Sequence, residues 1–165
     1  MRQIVVALTF LAAGVGYAWG FSPPDGFRGH KWGSPPSELE NAVIDEDGGE
    51  MKCYQRKDDD LTVGDAKLDK LRYCYYKERF YSCLMEFKGS LNFDGLKSTL
   101  LQKYGPATKP NQFMEEYHWL SPIAFIDAEY HSIGDKGSIA FLYIPIANEQ
   151  EQDRAAKAKQ GADKM

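Results

Sequence analysis

At 165 residues, 43% of them hydrophobic, the chain is long enough to close one ordinary domain around a real core. Its 20 basic and 24 acidic side chains leave a net charge of −4 and form no basic stripe, which disfavours nucleic acid and anionic membrane surfaces as partners. Three cysteines without CxxC or CxxCH spacing argue against thioredoxin-like redox chemistry and haem attachment.

Residues 1–20 read as an export signal: Arg2 is the positive start, residues 4–15 are apolar and uncharged, and Ala18-Trp19-Gly20 places small residues where a signal peptidase reads. The apolar run is short of the roughly 20 residues a membrane span needs. No span is expected once the signal is removed, and the first cysteine, Cys53, lies too far along to carry a lipid anchor. The mature protein is then a single domain over residues 21–147, in the periplasm or secreted, followed by a polar tail over 148–165.

Residues 21–33 hold Pro23-Pro24 and three glycines around Phe27 and Trp32, which predicts an irregular leader anchored by aromatics. Ser34, with Pro35 and Pro36 behind it and Leu39 four residues before Val43, predicts a short first helix ending near Ile44. Residues 45–49 then read as a turn, and 51–56 as a strand. Residues 71–76 and 80–88 are aromatic-rich and predict an antiparallel hairpin whose register is left open by its loop. A loop at Glu78-Arg79 sets Cys74 opposite Cys83; a loop at Lys77-Glu78 offsets them.

The clearest element is a helix carrying Phe93, Leu96, Leu100, Leu101 and Tyr104 on one face, capped by Asn92 and stopped at Gly105-Pro106. Strands over 113–120, 123–132 and 138–144 follow. From Asn148 the composition is too polar to bury surface, so the tail reads as frayed or as a solvated helix. The order helix, three strands, helix, three strands predicts an α+β architecture: an antiparallel sheet of about five to six strands with both helices on one face.

Candidate chemistry is sparse. Cys74 and Cys83 are a possible disulfide in an oxidising compartment, against three reduced, half-buried thiols. The imidazoles, His30, His118 and His131, have no zinc-site spacing, although His118 and His131 lie on neighbouring predicted strands. Asp45, Asp47 and Glu50 resemble part of a calcium loop, but Gly49 stands where the third ligand belongs, and Asp58-Asp59-Asp60 reads as a solvated turn. No cofactor or metal is expected, and no nucleophile motif occurs. Ten Tyr, nine Phe and three Trp make a stacking surface the remaining candidate, with Trp32, Tyr76, Tyr81 and Trp119 as contacts.

Gly26-Phe27-Arg28-Gly29 with Lys31-Trp32-Gly33, then Phe80-Tyr81, Phe87-Lys88-Gly89, Leu100 with Tyr104-Gly105-Pro106, and Trp119, resemble the punctuation of a family of small exported bacterial proteins. That resemblance implies export and an α+β sheet, with no catalytic set. More distantly, the alternation is similar to outer-membrane assembly lipoproteins and secreted β-lactamase inhibitor proteins, without the lipobox cysteine of the former. The expected function is a non-enzymatic binding domain for a protein or cell-envelope component. The alternatives are a small envelope hydrolase using His118 or His131 with a carboxylate, and a purely structural envelope protein.

Overall fold

The structure, a computed structural model, describes residues 21–164; the expected export signal over 1–20 lies outside the described residues. The leader folds back as a two-stranded ribbon, β1 (Gly26–Phe27) and β2 (His30–Lys31). A 3-10 turn at Pro36–Glu38 leads to β3 (Ala42–Asp47) and β4 (Met51–Arg56). A second small ribbon, β5 (Thr62–Val63) with β6 (Ala66–Lys67), precedes the long hairpin β7 (Lys70–Tyr76) and β8 (Arg79–Lys88). Then come α1 (Ser90–Tyr104), β9 (Glu115–Leu120), β10 (Ala124–His131), β11 (Lys136–Tyr143) and α2 (Ile144–Ala162). Among the described residues no helix is long and apolar enough to cross a membrane.

Seven strands form one antiparallel sheet in the order β3-β4-β7-β8-β11-β10-β9. The expected α+β layout of five to six strands with two helices on one face is therefore wrong: strand outweighs helix 42% to 26%, and each helix has its own face. Consecutive residues make the second point. Tyr73 packs into the cluster holding Phe93, Leu96 and Leu100 of α1, whereas Cys74 packs with Cys53, Tyr76, Tyr81 and Ile146 of α2. We call the α1 side the inner face and the α2 side the outer face.

The expected first helix is replaced by the 3-10 turn and β3. Leu39 and Val43 have helical spacing, but Asn41 turns the chain with φ 55° and the β-branched pair Val43-Ile44 prefers to extend, pairing Val43 with Gln55 and Ile44 with Tyr54. That conversion supplies the additional strand and breaks the expected order of helix, three strands, helix, three strands. In α1, Phe93, Leu96, Leu100 and Tyr104 are buried as their spacing predicts, while Leu101 turns outward. Gly89 stands at the N-cap instead of Asn92. The Asn92 side chain lies inside the first turn, donating to the Lys88 carbonyl and accepting from the Lys67 amide.

The hairpin loop is Lys77-Glu78, both residues left-handed at φ 48° and 60°, the conformation a two-residue hairpin turn needs. A bulge then inserts Tyr81, since Tyr75 pairs with Phe80 but Cys74 pairs with Ser82. Cys83 therefore faces Tyr73 in the inner core, fully buried, and neither the possible Cys74–Cys83 disulfide nor the alternative of three reduced thiols is found. Cys74 is instead directly opposite Cys53 across β4 and β7, with Cα atoms 4.1 Å apart, and that pair is the disulfide. Pro145 sits in the first turn of α2, where its missing donor is harmless, and the polar tail continues as this helix. Most of its surface is solvated, with Glu149 and Asp153 bonded to Arg79, Lys77 and the Tyr76 hydroxyl on the hairpin.

Candidate functional site

The helix α2 lies over β7, β8 and β11, and among the described residues no helix packs on the outer face of β9 and β10. Register writes three cross-strand rows on that uncovered sector. Leu120 and Phe125, continued by Leu142, make an apolar row. His118 opposite Asp127 makes the next, and Glu116 opposite Glu129 the third, continued by Ser138 and Glu86 on β11 and β8. Like charges directly opposite each other destabilise a sheet unless something neutralises them.

The His118 Nε2 lies 3.0 Å from Glu116 Oε1 and 3.3 Å from Asp127 Oδ1. Its ring stands edge-on to Phe125, centroids 5.0 Å apart. Asp127 Oδ1 is buried without a hydrogen-bond partner. Burial raises the Asp127 carboxyl above the usual range, with Glu129 and Glu116 adding to the rise and the adjacent imidazole opposing it. On the solvent side of β9, Thr108 exchanges backbone hydrogen bonds of 2.9 and 2.8 Å with His118, which anchors this position against the strand edge.

A concavity of about 390 Å³ adjoins these rows, with Glu86, Lys88, Glu129, His131, Lys136 and Ser138 in its wall. Ser138 Oγ donates to Glu129 Oε1 at 3.0 Å, and His131 Nε2 sits 3.3 Å from Glu129 Oε2. The hydroxyl is thus held by a carboxylate and has no imidazole base, so it lacks the arrangement of an activated nucleophile. A second concavity, about 290 Å³, opens on the inner side between β1 and α1. It is lined mainly by Phe27, Met85, Leu96, Leu100 and Phe141, and Arg28 at its margin is already engaged with Asp59 and the Asp60 carbonyl.

Compared with known proteins, the chain matches no family model, no curated protein and no solved structure. What it does must be read from its own geometry.

The aromatic contacts expected from the sequence are packing residues. Tyr76 and Tyr81 lie in the outer cluster under α2, at 4% and 7% exposure. Trp119 is 2% exposed on the inner face, its Nε1 donating to the Gly105 carbonyl at 2.9 Å. Trp32 is half-buried, stacked on Phe80 and Tyr143, with Nε1 bonded to the Pro24 carbonyl. Strand parity explains this: His118 and Trp119 are neighbours in sequence and therefore point to opposite faces. The same parity was the available signal for the site, because Glu116, His118 and Leu120 alternate on one strand and Phe125, Asp127 and Glu129 on the next.

His118 and His131 are not brought together. His118 opposes Asp127, whereas His131 closes β10 opposite Lys136. His30 is buried, its Nε2 bonded to the Tyr75 hydroxyl at 2.6 Å and Ser34 Oγ at 3.2 Å, and desolvation lowers its pKa. Asp45, Asp47 and Glu50 do not converge: Asp45 pairs with Lys70, Asp47 caps its own turn at Gly49, and Glu50 pairs with Lys157. Within the Asp58-Asp59-Asp60 run, Asp59 is no solvated turn residue. Its side chain is 5% exposed and joins Arg28, Arg56 and the Tyr73 hydroxyl, tying the leader to the sheet.

Proposed function

We propose that this chain is an exported binding domain whose uncovered β9–β10 sector is the contact surface for a protein or cell-envelope component. The observation that carries the reading is the half-covered outer face, on which an apolar row headed by Leu120, 68% exposed, runs beside the His118–Asp127 row with the carboxylates Glu116 and Glu129 beyond it. A partner segment with apolar and basic side chains matches both rows, burying the first against the sheet and neutralising Glu116 and Glu129. Export is supported by the Cys53–Cys74 disulfide, a bond that persists in oxidising compartments, and by the resemblance to small exported bacterial proteins.

Affinity capture from envelope extract, with mass spectrometry of the retained proteins, tests this. Leu120→Asp should weaken retention of a specific partner at least about tenfold. Leu91→Asp, at a still more exposed apolar site on α1, should leave it intact. Equal retention by both variants, or none by the unaltered protein, would sink the reading.

A further inference from the structure

We propose that Glu116, His118 and Asp127 form a site for a divalent transition-metal ion of the zinc type, open to solvent on its fourth side. The inference stands whether or not a partner docks on the same sector, because it rests on three side chains alone.

The backbone fixes the donors before any ion arrives. Pairing of β9 with β10 sets His118 directly opposite Asp127, and Glu116, two residues earlier, projects from the same face of the same strand. One nitrogen and two carboxylate oxygens from these residues lie within 4.8 Å of one another. Zinc binds imidazole nitrogen and carboxylate oxygen at about 2.0–2.2 Å in tetrahedral geometry, which places neighbouring donors roughly 3.3–3.6 Å apart. The Nε2 separations of 3.0 and 3.3 Å need only tenths of an ångström of adjustment to meet that figure.

Proton counting points the same way. An imidazole carries at most one N–H at Nε2 whatever its protonation state, and here two carboxylate oxygens converge on that atom. Glu116 Oε1 is in hydrogen-bonding position, and Asp127 Oδ1 is left buried with no donor. A divalent cation in place of the shared proton would satisfy both oxygens and the nitrogen together. The donor set also selects the ion. Calcium and magnesium favour all-oxygen shells of six or more ligands, whereas an imidazole with two carboxylates suits zinc and its first-row neighbours. Glu129 is held by Ser138 and His131, so it acts as a nearby negative charge and not as a ligand.

The test is titration of the purified protein with zinc chloride, read by calorimetry and by competition with a chromogenic chelator. Cobalt(II) added in its place reports geometry through its visible absorption. The expected result is one saturable equivalent, a thermal midpoint that rises with zinc, and a tetrahedral-type cobalt band. His118→Ala should weaken binding at least about 100-fold, and the near-isosteric Asp127→Asn at least about tenfold. His131→Ala, on the same strand face but outside the set, should bind like the unaltered protein. Should His118→Ala fail to fold, Asp127→Asn and the cobalt spectrum of the unaltered protein decide alone. Absence of a stoichiometric site, or binding that survives Asp127→Asn and disappears in His131→Ala, overturns the proposal.

Discussion

Reducing the Cys53–Cys74 bond perturbs a single constraint, because Cys83 is the remaining thiol and it is free and fully buried. The two bonded residues are 21 apart in sequence. Releasing a loop of that length restores about 11 cal/mol/K to the unfolded chain, or about 3.3 kcal/mol at 25 °C. For a domain of this size that corresponds to a thermal midpoint lower by about 10 °C. Calorimetry of oxidised and reduced protein measures the shift, and a non-reducing digest followed by mass spectrometry identifies the linked peptides. Burial pushes the Cys83 thiol well above its ordinary range, so the folded, oxidised protein should show no reactive thiol and the denatured protein one. A digest linking Cys74 to Cys83, or a midpoint indifferent to reduction, would refute both the register and the argument built on it.

Asp59→Ala removes the shared acceptor of Arg28, Arg56 and Tyr73 and should destabilise by about 2–3 kcal/mol in urea unfolding, below the figure for a wholly buried pair because both arginines are partly wet. Asp58→Ala, at the exposed neighbour, should barely move the midpoint. At Gly137, a Cβ would strike the Phe87 ring and stand 2.7 Å from the Glu129 carbonyl oxygen, so Gly137→Ala should cost about 1–3 kcal/mol by overpacking. The pKa of His30 is lowered by burial from an unfolded value of about 6.5. The unfolded chain therefore binds the proton more readily, and the contribution of His30 to stability is complete above about pH 6.5 and declines as pH falls toward its folded-state pKa. Comparing urea midpoints of the unaltered protein and His30→Asn between about pH 5 and 8 checks the sign; an advantage of the unaltered protein that grows toward acid pH would contradict it.

Much of the second half of the chain was legible. Phe93, Leu96, Leu100 and Tyr104 announce α1 because a helix must gather its apolar residues on one stripe, and the three strands after it follow from alternation and turn residues. Leu39 and Val43 misled because a four-residue spacing is compatible with a helix yet does not require one. Pairing to β4 outweighed it. The site was half legible: Glu116 and His118 visibly share a strand face, but nothing local joins them to Asp127, which becomes their neighbour only when β9 and β10 pair.

By itself the sequence determined what short-range physics controls: an antiparallel habit in the strands and the inward stripe of α1. Tertiary structure alone decided the seventh strand, the opposite faces taken by the two helices, and the partner of each cysteine. The reason is the two-residue period of a strand. One inserted residue at Tyr81 exchanges the faces of everything beyond it, and whether that insertion occurs depends on the packing of the whole sheet and not on any local run of residues.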